Sequence, residues 1–305
     1  MSDLEKKRDR ILFIMNPKSG TMQAFRYLAG MLQMYSDVGF YTSVLMTQAS
    51  GDAREFAIQY ASEVETIVVS GGDGTLNEVI DGVITAETPV RIGYIPSGST
   101  NDFASSVGLP KSIMDAAEVV LTGKPQTFDV GSFNGRYFSY VASFGAFTST
   151  SYSVPQNLKN IMGHTAYVLQ GIRDIVNIKK IHAKIVTDHG TPNEEIHEGD
   201  YIFGAICNST SVGGLLKLDT FDVDMNDGMM EVLLIESPAS LIELNEMVRA
   251  LLDGSLDAPN IQFFSARDIE VDIEPGTHWT LDGEYEEGAD HVEIHTLQSA
   301  IELIV

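Results

Sequence analysis

The chain has 305 residues, 44% hydrophobic and 20% charged, with a formal net charge of −24. That length allows two domains or one large one with a full core, and the acidity argues against nucleic-acid binding. No apolar run reaches the ~18 residues of a membrane span, and the charged stretch from Met1 to Arg10 does not look like a secretory leader. The single cysteine, Cys207, excludes an internal disulfide, suits a reducing cytoplasm, and sits in an apolar run as a small buried hydrophobe.

The first 125 residues alternate strand and helix patterns. Arg10 to Met15 is an apolar strand ended by Asn16-Pro17-Lys18-Ser19-Gly20, and Met22 to Tyr35 has helical spacing. Phe40 to Met46 is predicted as a strand and Asp52 to Ala61 as a helix. Thr66 to Ser70 is the third strand, and Leu76 to Ile84 the helix after a glycine turn. Arg91 to Ile95 is the fourth strand, followed by Pro96-Ser97-Gly98-Ser99-Thr100-Asn101-Asp102, and Met114 to Leu121 is a further helix. This alternation predicts a parallel sheet covered on both faces, with ligands beyond the carboxyl ends of its strands.

Near residue 125 the pattern changes. Strands are predicted over Gln126 to Ser132, Arg136 to Thr148, Lys180 to Thr187, Tyr201 to Asn208, Met229 to Ile235, Ile261 to Ser265, Asp268 to Ile273 and His278 to Leu281. Helical spacing appears at Leu158 to Val176 and Ala239 to Leu252. The expected organisation is an α/β domain over 1–125 and a mainly antiparallel β domain over 126–295, with the apolar tail 296–305 returning to the first.

Gly71-Gly72-Asp73-Gly74-Thr75-Leu76-Asn77-Glu78 is the most telling stretch. Glycines after a strand let backbone N–H groups approach an anion, and the following helix N-terminus adds more. Thr75 and Glu78 have the spacing of a capping box. Asp73 would repel phosphate unless a metal or water lies between, which suggests a metal-bound nucleotide. Each strand-end group taken singly is equally a turn or a helix cap; three at neighbouring strand ends would converge in space. Asp224-Met225-Asn226-Asp227-Gly228 and Leu281-Asp282-Gly283-Glu284 are hairpin signals, or carriers of carboxylates for phosphoryl transfer.

Charge is uneven: residues 1–130 carry −6, 131–187 carry +5, and 188–305 carry −23. The basic stretch includes Leu158 to Lys180, where Ile161, Met162, Val168 and Leu169 lie among Lys159, Arg173, Lys179 and Lys180. It suits a core-packed helix with a solvated face, or a helix lying on an anionic membrane. The seven histidines show no zinc spacing, and no Gly-x-Ser-x-Gly elbow is present.

Asn16-Pro17-x-Ser-Gly20, Gly71 to Glu78, Gly98-Ser99-Thr100-Asn101-Asp102-Phe103, Asp227-Gly228 and Asp282-Gly283-Glu284 occur in this order along nearly the whole chain. Together they resemble the diacylglycerol kinase catalytic family, most closely the soluble bacterial lipid kinases. The glycine element is shared with sphingosine kinases, NAD kinases and phosphofructokinases; the late Asp-Gly-Glu and the Asn-Asp-Phe group favour the lipid kinases. Ser99 stands where the family usually has Thr, and Ser97 where an apolar residue is common.

The resemblance implies ATP contacts at Asn16, Pro17, Lys18, Ser19, Gly20, Thr47, Gly72, Asp73, Gly74, Thr75, Leu76, Asn77, Glu78 and Ser99. Asp73 and Asp102 would organise Mg-ATP, and Asp227, with the carbonyls of Asp224 and Met229, would hold a structural Mg²⁺. Glu284 would take the proton of the substrate hydroxyl, supported by Asp282. The implied reaction moves the γ-phosphoryl group of ATP to a lipid hydroxyl, diacylglycerol first among acceptors, at a membrane surface met peripherally, with a homodimer as a further expectation. A kinase of a soluble acceptor such as NAD and a non-catalytic nucleotide-binding regulator are the alternatives.

Overall fold

The computed structural model describes residues 10–20, 22–145, 179–209, 211–212, 216–217, 223–252 and 255–305. The charged N-terminus before Arg10, the end of the strand expected to reach Thr148, and the amphipathic segment Leu158 to Val176 lie outside these residues.

Strands β1 (Arg10–Met15), β2 (Tyr41–Met46), β3 (Thr66–Gly71) and β4 (Arg91–Pro96) are parallel and lie in the order β2-β1-β3-β4. The chain therefore leaves β1 to one side for β2 and returns to its other side for β3, which opens a crevice beyond the ends of β1 and β3. Between the strands run α1 (Ala24–Asp37), α2 (Asp52–Tyr60) and α3 (Asp73–Thr85); α4 (Asp102–Ser106) and α5 (Ile113–Thr122) follow β4. Successive β1 side chains enter opposite core layers, Leu12 and Ile14 one and Ile11, Phe13 and Met15 the other. Ala53 and Ala57 of α2 and Val79 and Ile80 of α3 close the first layer; Met31 and Tyr35 of α1 and Ala116 and Ala117 of α5 close the second. Burial on both faces is why β1 and β3 carry continuous apolar runs, Ile11 to Met15 and Ile67 to Val69, rather than alternating.

The second part is built from β5 (Pro125–Phe133), β6 (Arg136–Phe138), β7 (Val141–Gly145), β8 (Ile181–Thr187), β9 (Glu195–Cys207), β10 (Ser211–Val212), β11 (Leu216–Lys217), β12 (Met230–Glu236), α6 (Leu241–Leu252), β13 (Ile261–Ala266), β14 (Asp268–Ile273), β15 (Trp279–Leu281), β16 (Glu284–Glu286) and β17 (His291–Ile304). Strands β7, β8, β9, β12, β13, β14, β15 and β16 pair antiparallel. Fully buried Trp279 meets Phe133 and Phe144 at ring-centre distances of 5.0 and 4.8 Å in their core.

The two parts share β17. Its start pairs antiparallel with β14, much of its length with β5, and Glu302 to Ile304 run parallel to β4. The parallel and antiparallel strands thus form one continuous mixed sheet.

Three local expectations are corrected. The strand expected from Arg136 onward breaks between β6 and β7, because the N–H groups of Ser139, Tyr140 and Val141 all turn to the Asp282 carboxylate. Strand β9 begins at Glu195 rather than Tyr201, since its polar first half pairs along β8. The Thr75/Glu78 capping box does not form: α3 starts at Asp73, with Leu76 N donating to Gly72 O (3.1 Å). Thr75 therefore lies inside the first turn, and Glu78 accepts from Gly51 N (2.8 Å) and Ala53 N (3.2 Å) at the start of α2.

Candidate active site

The turns after β1, β3 and β4 meet at the crevice. Asn16 is the hub of the first: its N–H donates to Ser70 O (2.9 Å), its Oδ1 accepts from Lys18 N (3.0 Å), and its Nδ2 donates to Thr75 Oγ1 (3.1 Å). The turns after β3 and β4 touch through bare backbone, and a Cβ added at Gly98 would stand 2.5 Å from Gly72 Cα. Asn101 locks the β4 turn, accepting from Gly98 N (2.9 Å) and donating to Gly98 O (3.1 Å), so its amide closes the turn instead of capping α4.

A cavity of about 380 Å³ opens here, lined by Asn16, Lys18, Thr47, Gln48, Ala49, Ser50, Gly72, Gly74, Thr75, Glu78 and Glu284. The first-part elements and the distant Asp-Gly-Glu turn therefore share one cleft. An ideal Cβ at Gly74 would be 2.7 Å from Glu284 Oε1, so the absence of a side chain at Gly74 is what lets that carboxylate lie over the phosphate turn.

Asp282 and Gly283 form the two-residue link between β15 and β16, with φ of 51° and 83°. Positive φ at both central positions is the hairpin geometry that Asp-Gly favours. The turn and carboxylate readings hold together, since buried Asp282 also accepts from Ser139 N (2.6 Å), Ser139 Oγ (2.8 Å), Tyr140 N (2.9 Å) and Val141 N (3.0 Å). Burial raises its carboxyl and these donors partly offset that rise.

Asp73 is lifted to about 6, chiefly by burial; the charges of Asp102 and Asp282 add to the rise and the Asp102 N–H (3.1 Å) opposes it. Burial raises Asp102 as well, and the Tyr94 hydroxyl, well above its usual value by burial, faces Asp73 at 3.5 Å. Asp73, Asp102 and Asp282 therefore lie close enough for the charges of the other two to act on Asp73.

Not every expected contact residue reaches the cavity. Pro17, Ser19, Gly20, Asp73, Leu76, Asn77, Ser99 and Asp102 are absent from its lining. Leu76 is fully buried in the core, Ser99 is exposed at the turn's tip, and Asn77 donates to Tyr137 O (3.2 Å), tying α3 to β6. Asp224 and Asp227 lie in a second acidic group, where Asp227 Oδ1 accepts from Met229 N (2.9 Å) and Asp224 Oδ1 from Asn226 N (3.1 Å).

Sequence reasoning missed two members of that group. Asp129 accepts from Gly228 N and Ser299 N, both at 2.6 Å. Glu231 is raised to about 8, by burial first and by the charges of Asp227, Asp129 and Asp224. A lone acid inside each apolar strand, Phe128-Asp129-Val130 and Met230-Glu231-Val232, was the available signal. Cys207 is buried, its thiol pushed up by burial, as expected of an inert side chain.

Residues 10–133 match the family described as the diacylglycerol kinase catalytic domain, and residues 142–305 match the YegS C-terminal NAD kinase beta sandwich-like domain. A diacylglycerol kinase of Bacillus subtilis is 33% identical over 282 residues, 92% of this chain and 90% of the relative. The chain belongs to the diacylglycerol kinase family. A second relative in this family of lipid kinases, the diacylglycerol kinase of Staphylococcus saprophyticus, is 34% identical over 284 residues, 92% of this chain and 90% of its own. The fold is shared with two solved structures from Bacillus anthracis. One has a TM-score of 0.78 at 24% identity, covering 97% of this chain and 96% of its own. The other, a diacylglycerol kinase, has 0.71 at 22%, with 98% of each chain covered. Among the described residues no helix is long and apolar enough to cross a membrane.

Proposed function

We propose that this kinase transfers the γ-phosphoryl group of Mg-ATP to the hydroxyl of diacylglycerol, giving phosphatidic acid. The observation that carries the reading is Glu284 Oε1 lying over Gly74, so that a carboxylate from the second part faces the phosphate turn of the first. In this reading the N–H groups of the glycine turns and of the α3 N-terminus hold the phosphates, with Lys18 beside them. Asn16 and Thr75 fix the relation of the two turns. Asp73 and Asp102, which lie outside the cavity lining, would organise the metal-bound nucleotide, and Mg²⁺ when bound would neutralise charge building on the phosphates. Glu284 takes the hydroxyl proton as the lipid oxygen bonds to the γ-phosphorus and the bond to the β-phosphate oxygen breaks. Asp282, fixed by its four donors, positions Glu284.

The second acidic group suits a structural Mg²⁺. Its donors are all oxygens, as Mg²⁺ prefers, and Glu231 Oε2 is buried without a hydrogen-bond partner among the described residues. Asp227 would hold the ion, with the carbonyls of Asp224 and Met229. The basic stretch 131–187 would carry the enzyme to an anionic membrane surface, with charge reversal at Lys159, Lys179 and Lys180 and vesicle co-sedimentation as its test.

Labelled ATP offered with diacylglycerol, monoacylglycerol, phosphatidylglycerol, undecaprenol and NAD tests the main reading. Label in phosphatidic acid is expected; label in NAD with none in any lipid overturns it.

A further inference from the structure

Glu284 stands on the surface of the cleft, where a glutamate samples many rotamers and their restriction opposes a single pose. A general base works only within hydrogen-bond reach of its proton. Something must therefore select the rotamer that points at the phosphate turn. Among the described residues, the hydrogen bond on this carboxylate comes from Arg136, whose Nη2 donates to Glu284 Oε2 (3.3 Å). Its Nη1 donates to Glu286 Oε2.

The arrangement divides the two oxygens of Glu284. Oε2 is engaged by the guanidinium, and Oε1 is the atom over Gly74. Glu284 and Glu286 are two apart on β16 and so share a face, which lets one planar guanidinium span both. Glu286 thereby anchors the arginine from a second side.

Arg136 itself stands on fixed backbone. It follows the Asn134-Gly135 turn, with φ of 47° and 86°, and opens β6. The next residue, Tyr137, has its carbonyl held by Asn77 of the phosphate-turn helix, and Phe138 is fully buried. Ser139, Tyr140 and Val141 donate to Asp282. One six-residue strip from Arg136 to Val141 therefore grips the phosphate-turn helix, the Asp-Gly turn and the Glu284 carboxylate together.

We infer that Arg136 is the positioning residue for Glu284, holding Oε2 so that Oε1 faces the phosphate turn, with Glu286 steadying the guanidinium. The inference rests on Glu284 being the proton acceptor. The test measures kcat, KM for ATP and thermal stability for Arg136→Met, Arg136→Lys, Glu286→Gln, Glu284→Gln and the Arg136→Met/Glu284→Gln double variant, using full-length protein and diacylglycerol in mixed micelles. Arg136→Met should lower kcat about ten- to a hundredfold, the scale of a misplaced catalytic group, with KM for ATP within about twofold of the parent. Arg136→Lys should recover part of the loss, and Glu286→Gln should lower kcat by a few-fold, about two to five.

Because Arg136 acts through Glu284, adding Arg136→Met to Glu284→Gln should lower kcat no further. Arg136→Met at the parent rate beside an inactive Glu284→Gln overturns the role of Arg136 alone. An equal further loss in the double variant also overturns it. Glu284→Gln at the parent rate overturns the base assignment, and the inference with it. If Arg136→Met does not fold, Glu286→Gln decides: parent kcat refutes the shared-guanidinium arrangement.

Discussion

Asp73→Asn should make the protein more stable and inactive. Burial, reinforced by Asp102 and Asp282, lifts the Asp73 carboxyl from 3.8 to about 6. At about 1.36 kcal/mol per unit, a rise of roughly two units is worth about 3 kcal/mol. Below about pH 4 folded and unfolded chains both hold the proton, and the group costs nothing. Between about pH 4 and 6 the folded chain keeps a proton that the unfolded chain has released, so folded stability falls as pH rises. Above about pH 6 both are ionised and the full cost is present. Asparagine never ionises, and its carbonyl can still accept from Asp102 N, 3.1 Å away in the parent. Asp73 is partly open to water, so screening reduces the ceiling to an expected gain of about 1–2 kcal/mol near pH 8. Urea denaturation of parent and variant, without Mg²⁺ or nucleotide, near pH 8 and near pH 4.5 measures this. The gap should shrink toward the acidic end, and phosphoryl transfer should be lost. A variant less stable than the parent near pH 8, or a gap independent of pH, would refute the reasoning.

Three further outcomes follow from contacts around the same cleft. Gly74→Ala places a Cβ 2.7 Å from Glu284 Oε1; that side chain can swing away, so the melting temperature should hold or rise with the better helix former while kcat falls at least about tenfold. Gly98→Ala drives a Cβ to 2.5 Å from the backbone Cα of Gly72 and 2.7 Å from Asn101 Oδ1, which locks the turn; calorimetric titration should show ATP binding weakened at least about tenfold, and denaturation a stability loss of about 1–3 kcal/mol. Asp282→Asn turns an amide N–H₂ toward donors that now meet a carboxylate; equilibrium unfolding should show a loss of about 2–4 kcal/mol, and an unchanged stability would mean that the four bonds do not hold the strip from Arg136 to Val141.

Much of the cleft was visible in the sequence because its parts are local. Asn16 to Gly20, Gly71 to Thr75 and Gly98 to Asp102 each declare a turn at the end of an apolar strand, and parallel strands necessarily put their carboxyl ends on one side. Spacing misled where a helix start had to be guessed. Thr75 and Glu78 have capping-box spacing, yet once Gly72 is extended and Asp73 helical, Thr75 is too deep in the turn to cap. Its hydroxyl serves Asn16, and Glu78 serves α2 across the crevice. Nothing in the spacing distinguishes these fates, because they depend on which loops lie opposite.

The same limit explains why Arg136 and Asp129 went unnoticed while Asp282 and Glu284 did not. Asp-Gly-Glu carries its own turn chemistry, so its residues announce a fixed geometry wherever they land. Arg136 gains meaning only when Asn77 and Asp282 set the register of β6 against α3 and β16, bringing partners 148 and 150 positions away within reach. Asp129 likewise matters because Gly228 and Ser299, 99 and 170 positions distant, donate to it. A carboxylate inside a strand is therefore better weighed by asking which distant N–H groups could satisfy it. Among the described residues, the two buried acids so satisfied, Asp129 and Asp282, stand where segments from distant parts of the chain are pinned together. Asp73 is the opposite case: backbone donors from Asp102 and Phe103 only partly offset its burial and the charges of Asp102 and Asp282.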